Sequence, residues 1–99
     1  MASFTTRVEL HDATYSDYEV LHKAMETEGF SRLIKSDSGT WYHLPTAEYN
    51  RSGELTRAQI LESAKSAAAK TRKLFAVLVT ESNGRLWEGL QEVKAAGLR

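Results

Sequence analysis

The chain begins with a stretch in which apolar and polar side chains alternate. In residues 4–11, FTTRVELH, the side chains of Phe4, Val8 and Leu10 share one face of an extended backbone, and Arg7 lies on the other. A period of two residues is typical of a strand with one buried and one exposed face. The sequence therefore predicts a first strand here.

A helix is predicted to follow this strand. Ser16 and Glu19 have the spacing of a capping box, in which each side chain accepts a hydrogen bond from the backbone amide of the other residue. Leu21 and Met25 lie four residues apart and so share one face of the helix. Gly29 is expected to end the helix, because glycine readily adopts the left-handed backbone conformation found there.

The middle of the chain predicts a hairpin and then a long loop. Residues 30–35 and 40–44 have the composition of strands, and the turn sequence SDSG joins them. Pro45 is expected to close the second of these strands, because proline cannot donate a backbone hydrogen bond. Residues 46–55 are then predicted to form a loop that is long for so small a domain.

The last third predicts a second helix, a buried strand and a tail. Thr56 and Gln59 form another capping-box pattern, and the helix is expected to run to about residue 71. Residues 73–80 contain LFAVLV, the strongest strand pattern in the sequence. The tail that follows predicts either an edge strand over residues 85–90 or a short helix.

The elements thus follow the order β-α-β-β-α-β within a single domain of residues 1–99. This order is typical of a ferredoxin-like α+β sandwich, with a four-stranded antiparallel sheet of order 4-1-3-2 and two helices on one face. Residues 4–82 form the predicted core, and residues 83–99 form the tail. Strands one and three are expected to be adjacent and parallel at the centre, so that their C-terminal ends meet at one edge.

Composition and motifs exclude several classes of protein. The 99 residues contain no cysteine, which excludes disulfides and cysteine-based zinc sites. The N-terminus lacks a signal-peptide pattern, and no apolar run is long enough to span a membrane. The HxxxH spacing of zinc enzymes, a glycine-rich phosphate loop and a GxSxG elbow are also missing from the sequence. We therefore expect a cytoplasmic protein without a membrane partner.

Charge is unevenly distributed, although the net charge is zero. Residues 1–50 hold four Lys/Arg and eight Asp/Glu, a net charge of −4, whereas residues 51–99 hold nine and five, a net charge of +4. A net charge of zero argues against strong non-specific binding of nucleic acid. The basic cluster of Lys70, Arg72 and Lys73 is interpreted either as solvated cations at a helix C-terminus or as a contact for an RNA backbone.

Two histidines are predicted to lie at the same edge of the sheet. His11 ends the first strand and His43 nearly ends the third, both on the face opposite the helices. In RNA cleavage, one imidazole would remove the 2′-hydroxyl proton and the other would protonate the leaving 5′ oxygen. Arg7, on the same face, would stabilise the charge that develops on the phosphate. The alternative is that both histidines are ordinary exposed strand residues.

Three further residues of this open face extend the hypothesis. Trp41 is predicted to stack on a base of single-stranded RNA, or else to pack in a dimer or under the tail. Glu9 and Asp12 provide an alternative chemistry, in which their carboxylates bind a divalent metal ion. No other cofactor is expected. His22, within the first helix, is interpreted as structural.

The last strand is apolar on both faces, although the helices would cover only one of them. Exposed apolar strips typically mark interfaces, so we expect a homodimer formed through the sheet. The alternative is a tail that folds back and places Leu86 and Trp87 over the strip. The candidate interface set is Phe75, Val77 and Val79, or else Leu74, Ala76 and Leu78.

Three stretches of the sequence resemble a bacterial family of small antitoxins. RVELHDATYSDYEVLHKAMETEGFSRLI, WYHLPTAEY and KLFAVLVTES are similar to the GhoS-type endoribonuclease antitoxins of type V toxin–antitoxin systems. The resemblance spans roughly residues 4–82 and rests on element order, length, the EGFSR junction and YHLPTAEY. It implies a ferredoxin-like domain, akin to the small nucleases of CRISPR adaptation, that cleaves the transcript of a membrane-damaging toxin. The family's catalytic residues do not map onto His11 and His43.

A second hypothesis, of a different class, is a non-catalytic interaction protein carried by a phage or another mobile element. The neutral charge, the apolar last strand and the lack of a strong catalytic motif favour it. Such a protein would bind a host protein or dimerise through the open face of its sheet.

Overall fold

The computed structural model describes residues 2–94. Met1 and the last residues of the predicted tail, 95–99, lie outside this range. The described chain is a mixed α+β fold with two helices and antiparallel sheets. Its elements are β1 (Ala2–Leu10), α1 (Tyr15–Thr27), β2 (Leu33–Lys35), β3 (Trp41–His43), β4 (Glu48–Gly53), α2 (Arg57–Ala69) and β5 (Phe75–Glu81).

The first strand, β1, lies at the centre of a three-stranded sheet of order β4-β1-β5. Both neighbours run antiparallel to it: Arg7 pairs with Glu48 of β4 on one side and with Leu78 of β5 on the other. The expectation of a parallel central pair is therefore wrong. Strands β2 and β3 form a separate antiparallel hairpin, and a single bridge between Ser31 and Asn50 joins its base to β4.

The segment predicted to be a loop, residues 46–55, contains β4. A tight turn precedes this strand, in which the Glu48 amide donates to the Pro45 carbonyl and Ala47 has a positive φ of 67°. Proline therefore ends β3 as expected, but the chain turns at once into a new strand rather than a loop. The prediction failed because Tyr49 is the only large apolar residue in β4, so no alternation is visible.

The N-cap of the first helix lies two residues before the predicted one. Thr14 is the N-cap, and its hydroxyl and the Asp17 carboxylate form the reciprocal bonds of a capping box; the predicted pair was Ser16 and Glu19. The Thr14 backbone amide, 2.8 Å from the carboxylate, holds the pKa of Asp17 below its usual value. The second capping box, Thr56 with Gln59, is confirmed.

Both helices pack on one face of the three-stranded sheet and form the core with it. Phe4 and Val8 of β1 and Tyr49 of β4 are fully buried there. The small side chains of α2 allow that helix to lie close to β1 and β5. The opposite face, called the open face below, carries Arg7 and Glu9. The helical residues of the core are Leu21, Ala24, Met25, Ile60, Ala64, Ala67 and Ala68.

The last strand, β5, turns one apolar row toward the core and exposes the other. Phe75, Val77 and Val79 pack against the core cluster, so they do not lie bare on the open face as the sequence interpretation had it. The exposed set is the alternative one: Leu74 (79% exposed) and Leu78 (64% exposed), with Ala76 between them. The register with β1 explains this, because Phe75 and Val77 pair with the buried Leu10 and Val8.

The tail folds back over the β2–β3 hairpin and not over the apolar row of β5, so the prediction that Leu86 and Trp87 cover that row is wrong. Residues 85–90 form neither a strand nor a helix in the structure. Instead the chain pairs with β3 further on, through a bridge between Tyr42 and Glu92. The ring of Trp87 contacts the Tyr42 ring edge-to-face with centroids 5.4 Å apart. Leu86, by contrast, is fully exposed.

Neither helix in residues 2–94 combines the length and the apolar character needed to cross a membrane.

Candidate functional site

The C-terminal end of β1 brings three polar side chains together on the open face. Arg7, Glu9 and His11 alternate with buried residues, so they project from the same side of the strand. The His11 Nε2 lies 3.4 Å from a Glu9 carboxylate oxygen. A carboxylate beside an imidazole orients the ring, which suits a general base.

Glu48 of β4 completes this group, which we call the strand-end site (Arg7, Glu9, His11 and Glu48). The Arg7 guanidinium donates to the Glu48 carboxylate across 3.4 Å, and the side chain of Arg7 is still 55% exposed. A guanidinium has five N–H donors, so most of them remain free to bind an anion. Sequence reasoning missed Glu48 as a site residue because its strand was taken for a loop.

The basic cluster of Lys70, Arg72 and Lys73 lies in the turn between α2 and β5, next to the end of β1. The His11 backbone amide donates to the Leu74 carbonyl at 2.8 Å, which fixes this turn beside the strand-end site. Lys70 and Arg72 are exposed, whereas the Lys73 ammonium lies 3.7 Å from the Asp17 carboxylate. Within residues 2–94 neither Lys70 nor Arg72 forms an ion pair, and both follow α2 in the turn that leads to the end of β1.

The other two predicted site residues, His43 and Trp41, lie on β3. This strand pairs with β2 and with residues 91–93, and it has no ladder with β1. The structure therefore does not place His43 across from His11 in the way that adjacent strands would have done. The Lys35 ammonium lies 5.8 Å from the centroid of the Trp41 ring, a cation–π contact within the hairpin.

The alternative metal ligands, Glu9 and Asp12, follow one another closely at the end of β1. Asp12 is exposed and has a positive φ of 51° where the chain leaves the strand. Within the described residues, no group of three or more His, Asp or Glu side chains has the arrangement of a metal site. Binding of a divalent ion through these two carboxylates stays a prediction.

Comparisons with known proteins leave the family of this chain open. No family model matches the sequence, and no curated protein matches it significantly. The function must therefore be argued from the residues and their geometry.

His22, on the first helix, forms a contact with the core that the sequence did not predict. The Nδ1 of His22 shares a hydrogen bond of 2.6 Å with the hydroxyl of the fully buried Tyr49. Burial lowers the pKa of His22, with a smaller effect of the Arg32 charge, and burial raises the pKa of the Tyr49 hydroxyl. The structural interpretation of His22 thus fits its position. The contact with Tyr49 could have been predicted only if residues 48–53 had been recognised as a strand.

Folding stability is expected to fall on mild acidification because of His22. The unfolded chain takes up a proton on this residue near its ordinary pKa of 6.5, whereas the folded protein keeps the ring neutral to lower pH. The stabilisation is therefore complete above pH 6.5 and declines as pH falls below it. Denaturant unfolding between neutral and mildly acidic pH measures this slope, which His22→Gln should reduce. An undiminished slope in His22→Gln would contradict the assignment.

Proposed function

We propose that this chain is a small endoribonuclease that cleaves single-stranded RNA and acts as an antitoxin of a type V-like toxin–antitoxin system. The observation that carries the proposal is the strand-end site: an imidazole 3.4 Å from a carboxylate at an exposed strand end, with a partly exposed guanidinium on the same face of the strand. These groups match the needs of phosphodiester cleavage by the neighbouring 2′-hydroxyl.

In the proposed reaction, His11 acts as the general base. Its Nε2 faces the Glu9 carboxylate and carries the hydrogen there, so the other ring nitrogen, Nδ1, removes the 2′-hydroxyl proton. The 2′ oxygen then attacks the phosphorus to form a 2′,3′-cyclic phosphate. The bond to the 5′ oxygen breaks, and that oxygen takes a proton from water, which leaves a 5′-hydroxyl end. Glu9 orients the ring, while Arg7 stabilises the charge on the phosphate.

The surroundings of the site favour an RNA strand as the substrate. Lys70 and Arg72 supply exposed positive charge where the strand would leave the site, and binding through them would weaken as salt increases. His43 has no assigned role in this version of the reaction, since β3 is not a neighbour of β1. Trp41 remains a candidate for stacking on a more distant base.

The ferredoxin-like arrangement is part of the same proposal. If β4 is counted as the third core strand and β5 as the fourth, the order β4-β1-β5 agrees with three of the four positions in the 4-1-3-2 sheet. The remaining strand would be the segment around Ser31, which forms a bridge to Asn50 of β4. The β2–β3 hairpin would then extend this segment. The antitoxin role is supported by the resemblance of EGFSR and YHLPTAEY to the GhoS-type family.

The proposal is tested by incubating the purified chain with a labelled single-stranded RNA, with and without EDTA. Cleavage that persists in EDTA is expected, because His11 needs no metal ion as general base. Loss of cleavage in EDTA would favour the chemistry based on Glu9 and Asp12 instead. An intact RNA under both conditions would overturn the endoribonuclease proposal.

A second candidate is a non-catalytic interaction protein, favoured by the exposed row Leu74, Ala76 and Leu78. Ala76 and Leu78 lie on β5, and Leu74 directly precedes it. Within residues 2–94 this strand pairs only with β1 and so forms a sheet edge there. Exposed apolar edges commonly pair with a second chain. Sedimentation measures the oligomeric state of the wild type and of Leu78→Lys, which is expected to be less associated. A wild type that is monomeric and recovers no partner in stoichiometric amount from cells would count against the candidate.

A further inference from the structure

A cleft of about 520 Å³ lies at the opposite end of the three-stranded sheet from the strand-end site. The tip of the β2–β3 hairpin, the start of β1 and residues 82–87 of the tail enclose it, and we call it the tail cleft. Its volume falls within the range of roughly 300–1,000 Å³ that is usual for small-molecule sites. The tail cleft is therefore large enough for one nucleotide.

The guanidinium of Arg85 provides positive charge at this cleft. Its Nη2 donates to the Asn50 side chain at 2.7 Å, which fixes the group against the open face. Within residues 2–94 Arg85 forms no ion pair, and its buried Nε has no hydrogen-bond partner. Burial lowers the pKa of this guanidinium. The cleft lining also includes Lys35 and Asp37, and the Asp37 carboxylate forms no ion pair with Arg85. An anionic ligand would compensate this charge.

Aromatic rings and hydroxyl groups complete the lining. Trp87 and Tyr42 both line the tail cleft, and their edge-to-face contact holds the two rings at 66° to each other. Ser36 and Ser38 in the hairpin turn also line it, with their hydroxyls 2.9 Å apart. Rings bind the flat face of a base, and serine hydroxyls donate readily to phosphate oxygens.

We propose that the tail cleft binds one nucleotide of a single-stranded RNA, with its phosphate at Arg85 and the hairpin serines and its base against Trp87 and Tyr42. The inference rests on the proposed function for the identity of the ligand as RNA. Seven residues of β1 lie between Ser3, at the cleft, and His11, so the two are separated by eight rises, roughly 26 Å at the usual rise of a strand. A bound RNA would therefore run along the open face toward His11.

The test measures binding of a fluorescently labelled single-stranded RNA of about twelve nucleotides, a length within the usual site sizes of single-strand binders. The full chain carrying His11→Ala is used, so that the RNA stays intact. Arg85→Gln keeps a donor for Asn50 but removes the charge, and should weaken binding about tenfold. Lys23→Gln, the matched control, removes one exposed cation of α1 that does not line the tail cleft, and should weaken binding less than about threefold.

A second measurement does not depend on variants. Titration of isotope-labelled protein with the same RNA should shift the Trp87 indole resonance and the backbone amides of Ser36, Ser38 and Gly84. The same sequence as a duplex should give no such shifts, because its bases are already stacked. Unshifted cleft resonances, or equal binding by Arg85→Gln and the parent protein, would overturn the assignment of the tail cleft.

Cleavage by the chain with His11 intact separates this inference from the proposed function. RNA that is cleaved equally well by the wild type and by Arg85→Gln at limiting concentration would overturn the cleft assignment and leave the endoribonuclease standing. RNA that binds at the tail cleft but is never cleaved would support the cleft assignment and overturn the endoribonuclease proposal.

Discussion

Replacement of His11 by alanine is expected to reduce RNA cleavage by a factor of about 10²–10⁴, the usual contribution of a general base. The reason is that no other imidazole borders the strand-end site in the described residues, since His22 lies against the core and His43 on β3. Initial rates of cleavage of a labelled single-stranded RNA, at saturating and at limiting substrate, measure the loss. The rate at saturation should fall with little change in binding.

The matched control is His43→Ala, which removes an exposed imidazole from the hairpin. It should cleave at a rate close to that of the wild type, because β3 is not adjacent to β1. Equal rates for His11→Ala and the wild type would remove His11 from the catalytic role. A large loss in His43→Ala would instead restore the interpretation with two histidines.

Replacement of Tyr49 by alanine is expected to cost about 3–5 kcal/mol of folding free energy, as for other large buried rings. Tyr49 is fully buried. Its ring packs against Phe30 in the core, with centroids 6.4 Å apart, and its hydroxyl shares a hydrogen bond with His22. A small domain has only about 5–15 kcal/mol in total, so this variant should be largely destabilised or unfolded. Denaturant unfolding followed by circular dichroism measures the change.

Two further variants serve as comparisons: one removes only the hydroxyl of Tyr49, and the other removes an exposed tyrosine elsewhere. Tyr49→Phe keeps the ring but leaves the His22 Nδ1 without its bond, at a cost of about 1–2 kcal/mol. Tyr15→Ala removes a tyrosine that is 80% exposed, and should change stability by less than about 0.5 kcal/mol. If Tyr49→Ala were as stable as Tyr15→Ala, β4 would not be part of the core.

The fold was predictable where the local pattern carries the information. The alternation of β1, the helical stripe of α1 with Leu21 and Met25, and the capping box at Thr56 all correspond to elements of the structure. Strand β4 was not predictable in this way, because its sequence, Glu48–Gly53, is mostly polar and its burial depends on pairing with β1. Such pairing is a tertiary effect that a local pattern does not contain.

The site was predictable to the same extent. Alternation alone places Arg7, Glu9 and His11 on one face, and the structure has them there. Glu48 was missed, and His43 was expected at the same edge, because the third strand of the sheet had been taken from the hairpin. The assignment of the wrong strand to the sheet thus changed which side chains were expected to meet.

The measurement that tests the central claim most directly is the chemistry of the RNA ends. The chain is incubated in EDTA with two single-stranded RNAs of the same sequence, one of which has a 2′-deoxynucleotide at the mapped cleavage position. Attack by the 2′-hydroxyl through His11 predicts a 2′,3′-cyclic phosphate and a 5′-hydroxyl end, with no cleavage of the deoxy-substituted strand. Cleavage of both strands, a 5′-phosphate end, or an intact RNA would contradict the account.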